Sequence, residues 1–364
     1  MQIQVLQNDL QAALSTALRF TTNKAQLPIL SNVVLKASKN SLNIQATDLE
    51  MAASLNIGAK VTKEGDITIP AKTLFDLISN LKDEQVELSA EKEVLSVSSE
   101  SFESTINGMN SADFPEVPKE LDKKQIEVAT DKIKKALEKC MFAVSADESR
   151  PILTGVLFEF GGKELKVVAT DGFRLSVEKL TLSKSMPKMN VVVPKNILSE
   201  IIKAASEDNL SFSVNKQTSQ ISFGFPRAVF SSRILQGEFP NYQKIIPTSH
   251  KTKIDVAKGD LEASVKLAAV FARESSNVVR VQVAKGGVEV FAESSKSGKQ
   301  KNKVAVKVEG DKLEIAFNYR FLLDVLQAIE SEDVVVEFSG GDAPAVFRDG
   351  EDKDFVHLVM PVKI

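Results

Sequence analysis

The sequence predicts an α+β chain of three tandem domains, each a duplicated strand–helix–strands unit. Three observations point to it. One short stretch is written three times, at Ile67–Ile78, Val191–Ile202 and Ile315–Leu326, each copy starting 124 residues after the last. A second, related stretch opens each third of the chain. The 364 residues therefore divide into thirds of about 120, each long enough to bury a core of its own.

In the thrice-written stretch, apolar residues fall at offsets +4, +7 and +8 from Pro70, Pro194 and Asn318. They are Leu74, Leu77 and Ile78, then Leu198, Ile201 and Ile202, then Leu322, Val325 and Leu326. That spacing puts them on one face of a helix, and the alternating apolar residues just before read as a strand. Pro70 and Pro194 sit where a helix start tolerates proline. An acid follows at offset +6 in each copy: Asp76, Glu200 and Asp324.

The opening halves run Ile3–Val5, Ile126–Val128 and Ile254–Val256, each followed by a helical apolar stripe: Leu10, Ala13, Leu14, Ala17; Ile133, Ala136, Leu137, Cys140; Leu261, Ser264, Val265, Ala268. Asp9, Asp131 and Asp260 open these helices, where a negative charge suits the unpaired amides of a first turn. The runs Val33–Lys36, Ser41–Ala46, Gly155–Phe160, Glu164–Ala169, Val278–Val283 and Val288–Ala292 read as antiparallel strands. Asp113-Phe-Pro115 and Glu238-Phe-Pro240 close the first two thirds, with linkers expected at Glu116–Lys124 and Pro247–Lys253. The expected domains are 1–118, 125–247 and 252–364.

Composition narrows the function. Hydrophobic content of 43% and charged content of 26% are ordinary for globular protein. No 18-residue apolar run and no signal-like start appear, and one cysteine excludes an internal disulfide framework, so a cytoplasmic protein is expected. The net charge of −3 argues against a nucleic-acid binder on total charge alone. With no Trp, two Tyr and two His, the chain is poor in the residues that stack on bases and sugars or move protons.

Antiparallel sheets with helices on one side leave open edges. Three such domains in a row can close edge to edge into a ring if a second copy supplies the other half, its last third meeting the first third of its neighbour. Over its whole length the chain resembles the bacterial DNA polymerase III β-subunit family of sliding clamps. The resemblance rests on Leu27-Pro-Ile-Leu30, Ala46-Thr-Asp-Leu-Glu-Met51, Ala112-Asp-Phe-Pro115, Ala169-Thr-Asp-Gly-Phe-Arg-Leu175, Glu238-Phe-Pro-Asn-Tyr242 and Val359-Met-Pro-Val-Lys-Ile364, in that order. It implies tandem clamp domains in a head-to-tail homodimeric ring, helices lining the hole and sheets outside. It implies a processivity factor of DNA replication, which encircles duplex DNA without reading its sequence and tethers the replicative polymerase and other clamp-binding proteins. It also implies a separate clamp-loader ATPase.

The predicted helices Asn8–Phe20, Ala71–Lys82, Asp131–Ala143, Lys195–Ala205, Asp260–Arg273 and Tyr319–Glu330 together carry +3, which leaves −6 for the rest of the chain. An excess on the helices suits a lining that faces phosphates. From charge alone, lysines on an outer helix face read first as solvated. The resemblance turns Lys72, Lys132, Lys135, Lys139, Lys195 and Lys203 into candidates for the DNA-facing wall, and adds Lys24 and Arg150. Asp147, Pro151 and Ile152 depart from the polar or aromatic residues common there in the family.

The resemblance also places a peptide-binding groove on Leu153, Thr170, Gly172, Phe173, Arg174, Leu175, Pro240, Lys244, Ile245, Pro344, Val359, Met360 and Pro361. An apolar cleft with a few polar anchors suits a short extended peptide. Phe173 stands where histidine is common, and Lys244 and Lys363 where arginine is frequent, so the preferred peptide is expected to differ. Taken without the resemblance, Thr170–Leu175 is a tight turn and Thr47-Asp48 its repeat mate. Phe102, Ile106, Val270 and Phe271 match segments the family uses at its dimer seam; the last two serve equally well as core.

Enzyme chemistry finds no foothold. There is no Walker loop, no His-Glu-x-x-His and no paired-cysteine pattern, and no cofactor is expected. Cys140 lies in an apolar stripe, and Asp48 and Asp171 fall in different thirds. A repeat scaffold that binds proteins without enclosing DNA is the alternative reading.

Overall fold

A computed structural model describes residues 1–22, 27–204 and 210–363. The first third runs β1 (Gln2–Leu6), α1 (Gln7–Ala17), β2 (Asn32–Ser38), β3 (Ser41–Thr47), β4 (Met51–Gly58), β5 (Lys60–Lys63), β6 (Gly65–Pro70), α2 (Ala71–Asn80), β7 (Gln85–Glu91), β8 (Val94–Ser98) and β9 (Glu103–Asn107). The middle third runs β10 (Ile126–Val128), α3 (Thr130–Cys140), β11 (Gly155–Thr170), β12 (Arg174–Pro194), α4 (Lys195–Ala204), β13 (Leu210–Asn215), β14 (Gln220–Phe225) and β15 (Ala228–Arg233). The last runs β16 (Thr252–Ala257), α5 (Lys258–Ala272), β17 (Val278–Ala284), β18 (Gly287–Ser294), β19 (Gly298–Val304), β20 (Lys307–Gly310), β21 (Leu313–Asn318), α6 (Tyr319–Ala328), β22 (Asp333–Phe338), β23 (Ala345–Asp349) and β24 (Val356–Val359).

The apolar stripes expected from the sequence face inward, with Leu77 and Ile202 only half-buried. Leu10, Ala13, Leu14 and Ala17 face inward on α1, as do Leu74 and Ile78 on α2 and Leu322, Val325 and Leu326 on α6. Asp9, Asp131 and Asp260 lie in first turns, where the positive end of the helix favours them. Pro70 is the N-cap residue of α2, and Asn318 caps α6 by accepting from the Arg320 amide at 3.0 Å. One expectation changes: Gly155–Phe160 and Glu164–Ala169 belong to a single element, β11. Its register slips on either side of Gly162 (φ +64°), and the ladder continues through the glycine pair that separates the two runs.

The chain forms two compact units, and the middle third contributes to both. Unit 1, residues 1–130 and 199–234, holds a five-stranded sheet, β5-β1-β7-β8-β9, and an eight-stranded sheet, β10-β13-β14-β15-β4-β3-β2-β6. Unit 2, residues 131–198 and 235–364, holds a seven-stranded sheet, β11-β12-β24-β23-β22-β16-β20, and a four-stranded sheet, β19-β18-β17-β21. All pairings of named strands among the described residues are antiparallel. Two ladders join strands from different thirds: β15 pairs with β4 (Phe230 opposite Ala53), and β24 pairs with β12 (His357 opposite Ser176). These joins are equivalent under the repeat, since Ala53 and Ser176 lie 123 residues apart. α1 packs on α2 in unit 1 and α5 on α6 in unit 2.

Candidate functional site

The turn between β11 and β12 is built by Thr170 and Asp171. The Asp171 carboxylate accepts from the amides of Phe173 (2.9 Å) and Arg174 (3.0 Å). Thr170 Oγ1 donates to the Arg174 carbonyl at 2.6 Å and accepts from the Gly172 amide at 3.0 Å. Thr47 and Asp48 repeat the same bonds to Met51, Leu49 and Glu50, so the Thr-Asp pair is a turn device in both thirds. Its third residue has positive φ in each, +77° at Leu49 and +91° at Gly172. Only glycine takes that conformation without strain.

Next to the turn, Arg174 ties three elements together. Its guanidinium donates to Asp171 (3.0 Å), to Asp324 of α6, and to the Phe142 carbonyl after α3 (2.6 Å). It also lies over the ring of Phe321, 4.6 Å from the centroid. None of these partners was assigned to the groove from the sequence. Asp324 was nevertheless visible there, as the acid repeated at offset +6.

Leu175, Tyr242, Val346 and Leu358 form a buried apolar floor, with Ile152, Phe239 and Ile246 packed against it. Leu153, Thr170 and Val359 are buried too, while Met360, Pro361 and Pro344 are half-buried. Phe173 (60% exposed) and Ile245 (42%) stand free, with Pro240, Gly172 and Lys244 also exposed. The Met360 amide donates to the Phe173 carbonyl at 2.9 Å, which fixes the C-terminal segment beside the turn. All thirteen predicted groove residues fall within unit 2, where Leu175 belongs to the apolar cluster and Phe173 and Ile245 are exposed. Such a surface can bury an apolar peptide side chain.

Beneath this region lie buried polar groups. Ser176 Oγ and His357 Nδ1 are 2.7 Å apart; burial, helped by the charge of Arg174, lowers His357 to about 3 and keeps it neutral. Glu178 is pushed up to about 8, by burial first and then by the charge of Asp352. Cys140 is buried, its thiol raised by burial and donating to the Val167 carbonyl at 3.3 Å.

Models of the N-terminal, central and C-terminal domains of the DNA polymerase III beta subunit match residues 1–118, 127–241 and 243–363. The chain belongs to the DNA polymerase III beta subunit family. Among its curated relatives, the beta sliding clamps of Staphylococcus epidermidis and Staphylococcus aureus are each 28% identical over 361 residues, covering 96% of both chains. Among solved structures, the DNA polymerase sliding clamp of Bacillus subtilis matches at TM-score 0.95 and 26% identity, covering 100% of this chain and 99% of that one. The DNA polymerase III beta chain of Streptococcus pneumoniae matches at TM-score 0.94 and 29% identity over the full length of both. The protein is therefore a sliding clamp, an accessory subunit of the polymerase and not itself an enzyme.

The clamp's candidate DNA-facing cations separate into two kinds. Lys72, Lys132, Lys135, Lys195, Lys203 and Arg150 are exposed. Of these, Lys135 pairs with Glu330 at 3.1 Å, Lys203 with Glu200 at 2.8 Å and Arg150 with Asp147 at 3.3 Å. Lys139 corrects the expectation. Its side chain is only 6% exposed and its ammonium is held by Asp352 and, at 3.8 Å, by Asp349, so it is not open to a phosphate. Burial alone would lower its pKa, but the hydrogen bond to Asp352 and the surrounding carboxylates raise it. Lys24 lies outside the described residues. Of the seam candidates, Ile106 is buried in its own unit, Phe102 and Phe271 are half-buried, and Val270 is 59% exposed.

Proposed function

We propose that two copies of this clamp close head to tail around duplex DNA, hold it by topology, and tether polymerase and other proteins through the groove at Phe173. One observation carries the closure: the two internal joins and the strands left over. In β15–β4 and β24–β12, the last strand of one half-unit pairs with the strand that follows the first hairpin after the helix in another. The remaining strands in those positions are β9 and β19, each an unpaired sheet edge among the described residues. A repeat of the same join between two copies puts β9 of one against β19 of the other. Lys299, Lys301 and Lys303 on β19 would then face an edge carrying Glu103, as charge complementarity favours.

The repeated acid supports the same arrangement. Glu200 is bound by Arg19, and Asp324 by Arg174, in each case an arginine of the preceding third. Asp76 has no ion pair among the described residues and lies on the third that, in a ring, follows a partner's last third.

On this reading the thirds act as domains 1–118, 125–247 and 252–364. Lys72, Lys132, Lys135, Lys195, Lys203 and Arg150 offer a mildly cationic wall, weak enough to let the duplex slide. A cytoplasmic location and a clamp-loader ATPase complete it, since a closed ring has to be opened to admit DNA. The groove residues take an extended peptide from each partner, which raises the partner's local concentration at the DNA. The test is retention on DNA after loading. The protein stays on closed circular duplex and leaves within one linearising cut; equal retention on linear and circular DNA would favour a scaffold that encloses nothing.

A further inference from the structure

Unit 1 contains a cavity of about 430 Å³ between α1, the end of α4 and the β14–β15 turn. Its floor is apolar: Ala13, Leu55, Ile57 and Phe230 are buried, and Phe225 is half-buried. Its mouth carries Arg19, Lys203 and Arg227, with Asp9 the one acid among the described lining residues. Glu200 lies behind the mouth and is 7% exposed; it binds both Arg19 and Lys203 (2.8 Å) and so fixes their positions. Arg227 has no ion pair among the described residues.

The equivalent place in unit 2 is filled by the chain itself. There Glu178 replaces Leu55, Lys139 replaces Thr16 and His357 replaces Phe230, and Asp352 binds the lysine. Loop length accounts for the difference. Six residues, Gly350–Phe355, join β23 to β24 and carry Asp352 over the spot, whereas only Pro226 and Arg227 join β14 to β15. One copy of the repeat is thus plugged by a carboxylate from a loop, and the other, among the described residues, is open with three cations at its mouth.

We propose that this cavity is a second peptide-binding site, separate from the groove at Phe173, which takes a bulky apolar side chain flanked by carboxylates from a partner protein. The apolar floor suits a hydrocarbon or aromatic side chain better than a nucleobase, whose polar edges would meet Ala13, Leu55, Ile57 and Phe230 there. The cations at the mouth select acidic neighbours, supplying from outside the charge that Asp352 supplies in unit 2.

The test uses the full chain labelled at alanine, isoleucine and leucine methyls. It is titrated with acetyl-Gly-Phe-Asp-Asp-Gly-amide and with the counterpart carrying Asn-Asn. The acidic peptide shifts the methyls of Ala12, Leu55, Ile57 and Ala228, and the Asn peptide binds about fivefold more weakly. Arg227→Gln, at an exposed turn, weakens the acidic peptide by a similar factor, and Ala12→Trp fills the cavity and abolishes the shifts. The proposal is overturned if no methyl there moves, if only Leu153, Leu175 and Leu358 respond, or if the two peptides bind alike. A thymidine dinucleotide that shifts the same methyls at lower concentration would give the cavity to nucleic acid instead.

Discussion

Lys139 of α3 is bound to Asp352, a residue 213 positions further along the chain, and is closed off from solvent by the same contact. Removing a buried cation leaves its carboxylate partners, here Asp352 and Asp349, without their counter-charge, which costs far more than an exposed pair contributes. Lys139→Ala is therefore expected to destabilise unit 2 by about 3 kcal/mol in urea unfolding. It should leave the salt dependence of DNA retention unchanged. Lys132→Ala, at an exposed position on the same helix, should do the reverse: little loss of stability, with the slope of log affinity against log salt reduced by about one. A salt slope altered by Lys139→Ala would contradict the buried placement.

Glu178 and His357 give the protein a pH signature. The folded state raises Glu178 to about 8, so it favours the protonated acid; its stabilising contribution is present below the ordinary glutamate range and is lost as pH rises towards 8. His357, lowered to about 3, works the other way, adding stability as pH rises from 3 to its ordinary value of 6.5. The two oppose each other at mildly acidic pH, while Asp349 and Asp352, both lowered, act below the ordinary aspartate range. Between the ordinary histidine pKa and pH 8 only Glu178 remains among these four. Stability is expected to fall there by about 2 kcal/mol, and Glu178→Gln to flatten the profile. An unchanged slope in that variant would refute the assignment.

Arg174 reaches Asp171, Asp324 and the Phe142 carbonyl because its fork presents several donors in one plane. Lysine keeps the charge but not that geometry. Arg174→Lys is expected to lose about 2 kcal/mol in thermal or urea unfolding, and Arg174→Ala somewhat more, with weaker peptide binding at Phe173 in both. Full stability in the lysine variant would show that charge alone suffices.

Much of this architecture was legible in local pattern. The stripes on α1, α2 and α6 follow from helical spacing, and the Thr-Asp turns from the bonds those side chains make to nearby amides. Charge at Lys139 was misread for a physical reason. Its position in the helix matches that of Lys132 and Lys135, and only a loop arriving from the last third buries it. The same holds for the groove: Phe142, Phe321 and Asp324 meet Arg174 through tertiary packing that no periodicity encodes. Glu178 alternates with apolar neighbours on β12 and reads as a solvent-facing position, yet both faces of that strand are covered. The β15–β4 and β24–β12 ladders were likewise unreadable, since any two edges of suitable length satisfy the pattern.

The β15–β4 ladder also bears on how the chain would withstand proteolysis. The covalent link between the first and middle thirds crosses 116–124, where Val117 is buried and the Asp122 amide donates to Ser213 Oγ at 3.1 Å. Five residue pairs of backbone ladder bind the same two thirds without it. A single nick in that segment would therefore leave the fragments held together by their shared sheet, separating only when that sheet melts.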